Sequence, residues 1–393
     1  MTKAYDKVLF EILPKKLFEI GLLSWGKVLN FFPVGGEREC QPSRFTVARA
    51  GICLNQYDCR QRDGRAAGDC AHGLGVCCIF EVTCGGVVQN NLTYFTSPGF
   101  PELWGGQKEC AITIEKTHAG ITQLKIDFVH FTIGQPNRTT GECDEDAMFL
   151  GEGENRFVIC GQNHGQHLYY TFPSNSESRE EEELGGARGM RLVIRSRGEG
   201  PRLWLLRLAL LPLAHAAPHG CLQYHTAVNG TIKTFNYASN GRHLSRQRYR
   251  VCVRRGAGAC AVRYWPCGPR AFRIADPGLS YTDMMQQVQL MPAVADDEML
   301  EEGSGRDPNM APVVESSAPS PGLWDRSSSY ISGVCDPHHC GDSFCPGHED
   351  QCWVETAVAP FAVAVNFGPP TPKGDPEDNI GACLRYMLLP CDT

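Results

Sequence analysis

Hydrophobic and polar positions alternate along much of this chain with a period of two. Ala111-Ile112-Thr113-Ile114-Glu115 and Gln123-Leu124-Lys125-Ile126-Asp127-Phe128 put apolar side chains on one face and polar ones on the other, as a half-buried strand does. Met190-Arg191-Leu192-Val193-Ile194-Arg195 and Leu203-Trp204-Leu205-Leu206-Arg207-Leu208 read as two more strands. Phe361-Ala362-Val363-Ala364-Val365 and Leu384-Arg385-Tyr386 read as late strands of a second unit. Turn clusters such as Ser97-Pro98-Gly99-Phe100-Pro101 separate them. With many short strands and no helical period of useful length, the pattern predicts an all-β protein built from β-sandwiches.

Two stretches break the alternation. Residues 174–189 carry a run of four glutamates at 180–183, which reads as a solvated charge run. Residues 293–332 mix acidic residues with Pro, Ser and Gly; such a composition buries too little apolar surface to offset its ordering entropy, so a disordered acidic insertion is expected there.

Composition sharpens this picture. The 42 Gly and 26 Pro favour turns, and 393 residues suit two or three domains. A net charge of −7 leaves no global basic footprint for nucleic acid. The 20 cysteines are the strongest signal, with six between Cys40 and Cys78 that end in the doublet Cys77-Cys78. Three N-glycosylation sequons begin at Asn91, Asn137 and Asn229. A reducing cytosol would leave that many thiols reactive, whereas an oxidising compartment turns them into cross-links. Both signals predict a secreted or cell-surface glycoprotein stapled by up to ten disulfides, with a connectivity that counting leaves open.

Residues 1–39 form an N-terminal segment whose apolar patch (Leu17, Phe18, Ile20, Leu22, Leu23, Trp25) is interrupted by Glu19 and Lys27. A secretory leader has an uninterrupted apolar core and a small-residue cleavage site. The reading favours a missing first exon over a degenerate signal. The most apolar run, residues 203–217, is broken by Arg207 and falls short of the ~20 residues of a membrane helix, so no membrane span is expected. Cysteine spacing then divides the rest into a disulfide module at 40–80, a β block at 84–213 and a second block at 221–391 that contains the acidic insertion.

The 84–213 block carries an ordered series of marks. They are Cys84-Gly85-Gly86, Ser97-Pro98-Gly99-Phe100-Pro101, Cys110 opening a strand, Phe128 and Phe131, Cys143-Asp144-Glu145-Asp146, Ile159-Cys160-Gly161 and Leu203-Trp204. In these it resembles the CUB family, which implies a jelly-roll-like antiparallel β-sandwich with Cys84 paired to Cys110 and Cys143 to Cys160. The 221–391 block looks like a divergent second CUB unit. The layout is similar to arthropod secreted proteins with a cysteine-rich N-terminal module and paired CUB-like domains. The module itself, with Gly51-Ile52-Cys53, Cys59, Cys70 and Val76-Cys77-Cys78, resembles the clip modules of arthropod serine proteases and their inactive homologues. That resemblance implies the pairs Cys40–Cys77, Cys53–Cys70 and Cys59–Cys78.

The CUB resemblance also raises calcium. The family site needs a Glu before the third cysteine, an Asp three residues after it and an Asp near a late strand. Asp146 keeps the second, but Gly134 and Gln135 stand at the first position and Arg195 to Arg197 near the last. Calcium wants six to eight oxygen ligands. Its candidate ligands are Asp144, Glu145 and Asp146; the favoured reading has Asp146 hydrogen-bonding its own turn and no cofactor.

Catalytic motifs are wanting. Gly341-Asp342-Ser343 echoes a protease nucleophile segment, but Phe344-Cys345 follows where that family has two glycines, and no Ala-Ala-His-Cys segment supplies a base. Cys335, His338, His339, Cys340, Cys345, His348 and Cys352 have zinc-like density, yet neighbouring extracellular cysteines usually oxidise. His164 and His167 read as a surface turn, and Tyr94, Phe95 and Trp104 as sandwich-edge packing.

The expectation is a secreted, non-enzymatic interaction module that binds an extracellular protein or matrix glycan through sandwich loops. Its contact patch is placed at residues 132–146, with Asp144, Glu145 and Asp146 gripping a Lys or Arg of the partner. The alternative is a regulatory cofactor of an extracellular serine-protease cascade.

Overall fold

The computed structural model describes residues 38–42, 49–151, 153, 156–173, 189–238, 240–274, 339, 343–345, 352–369 and 379–391. The N-terminal apolar patch, the glutamate run, the acidic stretch 293–332 and Cys335, His338, Cys340 and His348 lie outside them.

The N-terminal module contains β1 (Glu39–Cys40), β2 (Gly51–Leu54), a single turn of helix α1 (Gln56–Gln61), β3 (Arg65–Cys70) and β4 (Gly75–Val82). Helix α1 starts at Asn55, whose Oδ1 accepts from Asp58 N at 2.7 Å and so satisfies one of the donors that a helix start leaves over. Disulfides Cys40–Cys77, Cys53–Cys70 and Cys59–Cys78 close the module. Because Cys77 and Cys78 are neighbours on β4, their side chains leave opposite faces of the strand, and each reaches a different partner.

The first sandwich contains β5 (Val87–Val88), β6 (Leu92–Thr96), β7 (Glu109–Ile114), β8 (Ile121–Thr132), β9 (Ala147–Leu150), β10 (Phe157–Ile159), β11 (His167–Thr171), β12 (Met190–Arg195) and β13 (Leu203–Pro212). One sheet runs β1-β2-β4-β6-β13-β8-β11, with β3 joined to β4, and faces a five-stranded sheet β10-β9-β12-β7-β5. The module is therefore no separate body: β4 pairs in parallel with β6, and the sandwich sheet continues into it. Tyr94 Oη donates to Ala50 O at 3.0 Å, and Arg207 bridges Glu39 at 2.7 Å and Asp127 at 3.1 Å across the same seam.

The alternation read from the sequence sets the two faces. On β12 Met190, Leu192 and Ile194 are buried while Arg191, Val193 and Arg195 point outward. Trp204 is fully buried between Phe95 and Trp104, at ring-centroid distances of 5.8 and 5.4 Å. Each such aromatic contributes roughly 1.5–3 kcal/mol by burial alone. Bridge Cys84–Cys110 ties the segment before β5 to the start of β7, and Cys143–Cys160 ties the loop before β9 to the end of β10.

The second sandwich holds β14 (Cys221–His225), β15 (Asn229–Lys233), β16 (Gln247–Val253), β17 (Ala259–Pro266), β18 (Phe272–Arg273), β19 (Val354–Thr356), β20 (Ala362–Phe367) and β21 (Gly381–Pro390). Its sheets run β14-β16-β20 and β15-β21-β17-β19, with β18 joined to β21. Disulfides Cys221–Cys252, Cys260–Cys391, Cys267–Cys383 and Cys345–Cys352 staple it. The protein is thus all-β and disulfide-rich, with two β-sandwiches. Pairing is antiparallel except at β4–β6, β5–β7 and β14–β16.

Candidate interaction site

The loop leading to Asp146 closes one end of the first sandwich. Asp146 and Arg202 are each 1% exposed and face each other, with Arg202 Nε 2.5 Å from Oδ2 and Nη2 2.9 Å from Oδ1. Backbone N–H groups complete the shell: Gly134 donates to Oδ2 at 2.8 Å, and Arg197 and Gly198 donate to Oδ1 at 3.0 and 3.1 Å. Burial alone would raise this carboxyl, but the hydrogen bonds from Arg202 and from the Gly134, Gly198 and Arg197 amides outweigh it and hold it below the usual value. Arg202 also donates to Gly198 O and is held through its backbone to Trp104, so the carboxylate, the loop and the strand entry form one unit.

The same loop packs against the second sandwich. Ser245 N donates to Gly141 O at 3.0 Å, Arg242 Nε to Arg138 O at 3.0 Å, and Arg246 Nε to Glu142 Oε1 at 3.0 Å. Asn236, a buried residue at φ 60°, sits at the centre of the junction. Its N–H donates to Asn163 Oδ1 at 2.7 Å, its Oδ1 accepts from Gln162 N at 2.8 Å, and its Nδ2 donates to Gln135 Oε1 and Arg242 O. Gly161, at φ 77°, lies so close to Asn236 that any Cβ there would collide with the amide. Beside this network Phe235 joins the two cores, with Phe128, Phe157 and Tyr249 at 6.5, 5.5 and 5.2 Å.

At the edge of the junction His167 on β11 meets β14. Its Nε2 lies 3.1 Å from both the N and O of Tyr224, and its ring centroid is 4.9 Å from that of His225. Burial, then the positive charge of Lys125, lowers the His167 pKa, while burial and His167 lower that of His225 to about 4. Both are neutral in the fold at neutral pH. His167 is therefore not part of a surface turn, because its strand is an inner wall of the junction; His164 is exposed and caps Phe131 N at 3.0 Å.

A third feature lies on the outer face of β9, β12 and their neighbours. Glu109, Phe149, Gly151, Gly153, Arg156, Arg191, Val193, Arg195 and Arg197 line an open concavity of about 360 Å³. Arg156 and Arg195 stack their guanidiniums on Phe149, at 4.2 and 4.9 Å from its ring centroid. Arg195 Nη2 donates to Cys143 O and Asp144 O at 3.0 and 3.1 Å, and its Nε is buried with no hydrogen-bond partner among the described residues. Burial and repulsion from Arg197 and Arg156 lower the Arg195 pKa. Glu152 and Glu154, which flank Gly153 in sequence, lie outside the described residues.

Family models match both sandwiches: the CUB domain model over residues 84–180, and the animal CUB domain model over residues 218–389. The chain carries two CUB domains. The second, expected from the sequence to be a divergent unit, is the one matched over the longer stretch. No curated protein matches the chain. Among solved structures, the calcium-bound second CUB domain of MASP-1 is similar over 32% of this chain and 98% of that one, at 16% identity and a TM-score of 0.24. The CUB1-EGF-CUB2 segment of rat MASP-1 is similar over 78% of this chain and 99% of that one, at 11% identity and a TM-score of 0.24. The extracellular region of zebrafish Gpr126/Adgrg6 is similar over 49% of this chain and 21% of that one, at 14% identity and a TM-score of 0.25.

The loop of the first CUB domain does not fit calcium. Both oxygens of Asp146 are taken up by Arg202 and three amides. Asp144 is exposed and accepts from Asn137 Nδ2 at 3.1 Å, Glu145 is exposed, and the remaining family positions hold Gly134, Gln135, Arg195 and Arg197. No group of three candidate ligand side chains is present among the described residues. A divalent cation beside the Arg202 guanidinium would meet like charge and would have to displace it.

The other residues singled out by sequence fall as follows. Asn137 and Asn229 are exposed, and Asn91 is half-buried at the entry to β6. Tyr94 and Phe95 are buried, as edge packing requires. Cys345 is bonded to Cys352 and not left as a thiolate, and His339 stacks on Phe344 at 4.2 Å. Asp144, Glu145 and Asp146 do not converge on one outward site, because Asp146 turns into the core. Sequence reasoning missed the arginine face, although its signal was present: Arg191, Val193 and Arg195 recur at every second position of a strand. No helix among the described residues is long and apolar enough to cross a membrane.

Proposed function

We propose that this chain is a secreted, non-enzymatic interaction protein that binds an extracellular protein or matrix ligand through the surface of a fused pair of CUB domains. CUB domains are extracellular interaction modules as a family, and disulfides that join all eighteen cysteines among the described residues suit an oxidising compartment. Exposed Asn137 and Asn229, and Asn91 at a strand entry, are the proposed glycan attachment points.

The observation that carries the reading is the junction. Phe235 merges the cores, and Asn236 locks Asn163, Gln162 and Gln135 of the first domain to Arg242 of the second. A rigid scaffold loses little conformational entropy on binding, which is what a recognition surface needs. Of the four acidic residues in 132–146, Asp146 pairs with Arg202 and Glu142 with Arg246 of this chain, while Asp144 and Glu145 are exposed. A basic partner is therefore not gripped by Asp146, and the contact surface is placed on the exposed sheet face instead.

The second reading, a regulatory cofactor of a serine-protease cascade, draws support from the module. Its bridges Cys40–Cys77, Cys53–Cys70 and Cys59–Cys78 are those a clip-like module implies. Cross-linking of the purified chain in its native extracellular fluid, followed by mass spectrometry, separates the two. Matrix or receptor proteins are expected. Proteases as the reproducible partners would favour the cofactor reading, and turnover on a peptide-substrate panel would overturn both.

A further inference from the structure

We propose that the outer face of β9 and β12 is a binding site for a sulfated glycan chain, held by Arg156, Arg191, Arg195 and Arg197. The proposal rests on the reading of the chain as a binding module and names a ligand class for it.

The charge distribution is the first argument. The chain carries a net charge of −7, yet among the described residues that line this concavity four guanidiniums stand against one carboxylate, Glu109. Only Arg191 approaches that carboxylate, at 3.8 Å. The guanidiniums of Arg156 and Arg197 have no hydrogen-bond or ion-pair partner among the described residues. Clustered like charges repel, and solubility would be served equally well by scattering them.

The chemistry of the cations is the second argument. All four are arginines, whose planar forks donate paired hydrogen bonds to the oxygens of tetrahedral anions. Two are fixed in place. Stacking on Phe149 orients Arg156 and Arg195, and the carbonyls of Cys143 and Asp144 hold Arg195 from behind. Arg197 stands two residues beyond Arg195, on backbone anchored by its own N–H to Asp146. A bound anion would relieve the repulsion among these groups.

Spacing selects the kind of anion. Arg191 and Arg195 lie four residues apart on one strand, roughly 13 Å at strand rise. One small ion cannot meet that row, whereas a repeating polyanion presents successive charges along it. An acidic protein segment would seek aromatic or aliphatic anchors at its centre. Among the described residues that line the face, the apolar side chains are Val193 and Phe149, and two guanidiniums already cover Phe149.

Titration of the full-length disulfide-bonded chain with a heparin octasaccharide, at about 0.15 M salt, tests this. The controls are the desulfated octasaccharide and an octaglutamate peptide. Binding to the sulfated sugar alone is expected, with loss of at least about tenfold in affinity for Arg156→Gln/Arg197→Gln. Arg248→Gln, at an exposed position of β16, should bind like the unmodified chain. Circular dichroism establishes that the double variant remains folded. Absence of binding, equal binding by the folded double variant, or octaglutamate binding as tightly as the sugar would each overturn the proposal. If the sugar fails while cross-linking still captures a matrix or receptor protein, the ligand class falls and the binding-module reading stands; if both fail, both readings fall.

Discussion

Arg202 presents Nε at 2.5 Å and Nη2 at 2.9 Å to the two oxygens of Asp146, and neither side chain is more than 1% exposed. A guanidinium of the chain itself thus neutralises the carboxylate that, by family resemblance, a metal would take. Once such a pair is buried, each charge depends on the other, because an unpaired ion in a dry site is far costlier than the pair.

Removing one partner should therefore be severe. Arg202→Ala is expected to cost the first domain about 3–5 kcal/mol, while Asp146→Leu/Arg202→Met recovers most of that loss because no charge is left stranded. Urea unfolding followed by tryptophan fluorescence is well placed to read it, since Trp104 pairs with Arg202 through both backbone hydrogen bonds. Equal destabilisation by the single and double variants would count against a charge-driven cost.

The two domains should melt together. Phe235 is 1% exposed and touches Phe128 and Phe157 of the first domain and Tyr249 of the second. Phe235→Ala is expected to cost about 3–5 kcal/mol at the junction and to split one calorimetric transition into two. Gly161→Val should act the same way by displacing Asn236. Two well-separated transitions in the unmodified protein would show that the junction does not couple them.

Acid should loosen the same junction. The pKa of His225 is lowered from 6.5 to about 4 by burial and by His167, and that of His243 to about 3 by burial and by Arg242. His167 is lowered by burial and Lys125, against smaller upward effects of Asp127 and Tyr224. A histidine kept neutral by the fold binds its proton more readily when unfolded. Its contribution is thus intact above about pH 6.5 and declines as pH falls from there toward the lowered value. Asp146, whose pKa is also lowered by the fold, acts in the same direction and adds its loss only below about pH 3.8, the unfolded carboxyl value. Melting temperature should fall between pH 7 and pH 4, and His225→Gln should flatten that slope; an unchanged slope in this variant would remove His225 as the cause.

The fold was largely legible in the sequence, for a physical reason. A half-buried strand writes its two faces as alternation, so β7, β8, β12, β13, β20 and β21 all stand where apolar residues recur at every second position. What alternation cannot carry is which strand edges meet. The continuation of the sandwich sheet through β4 into the module depends on pairing between distant segments, and no local pattern encodes it. The candidate site was legible only in part. Asp146 stood out by its spacing from Cys143, but its partner Arg202 lies 56 residues away and carries no motif. His167 looked like part of a turn because its neighbour β14 belongs to the other domain.

The most direct measurement is calorimetric titration of the folded, disulfide-bonded chain with calcium, with Asp146→Ala alongside. With Arg202 holding Asp146, no binding tighter than about millimolar and no rise in melting temperature are expected, since a ligand bound only to the native state must stabilise it. Calcium binding tighter than that, lost in Asp146→Ala, would contradict the Arg202 lock.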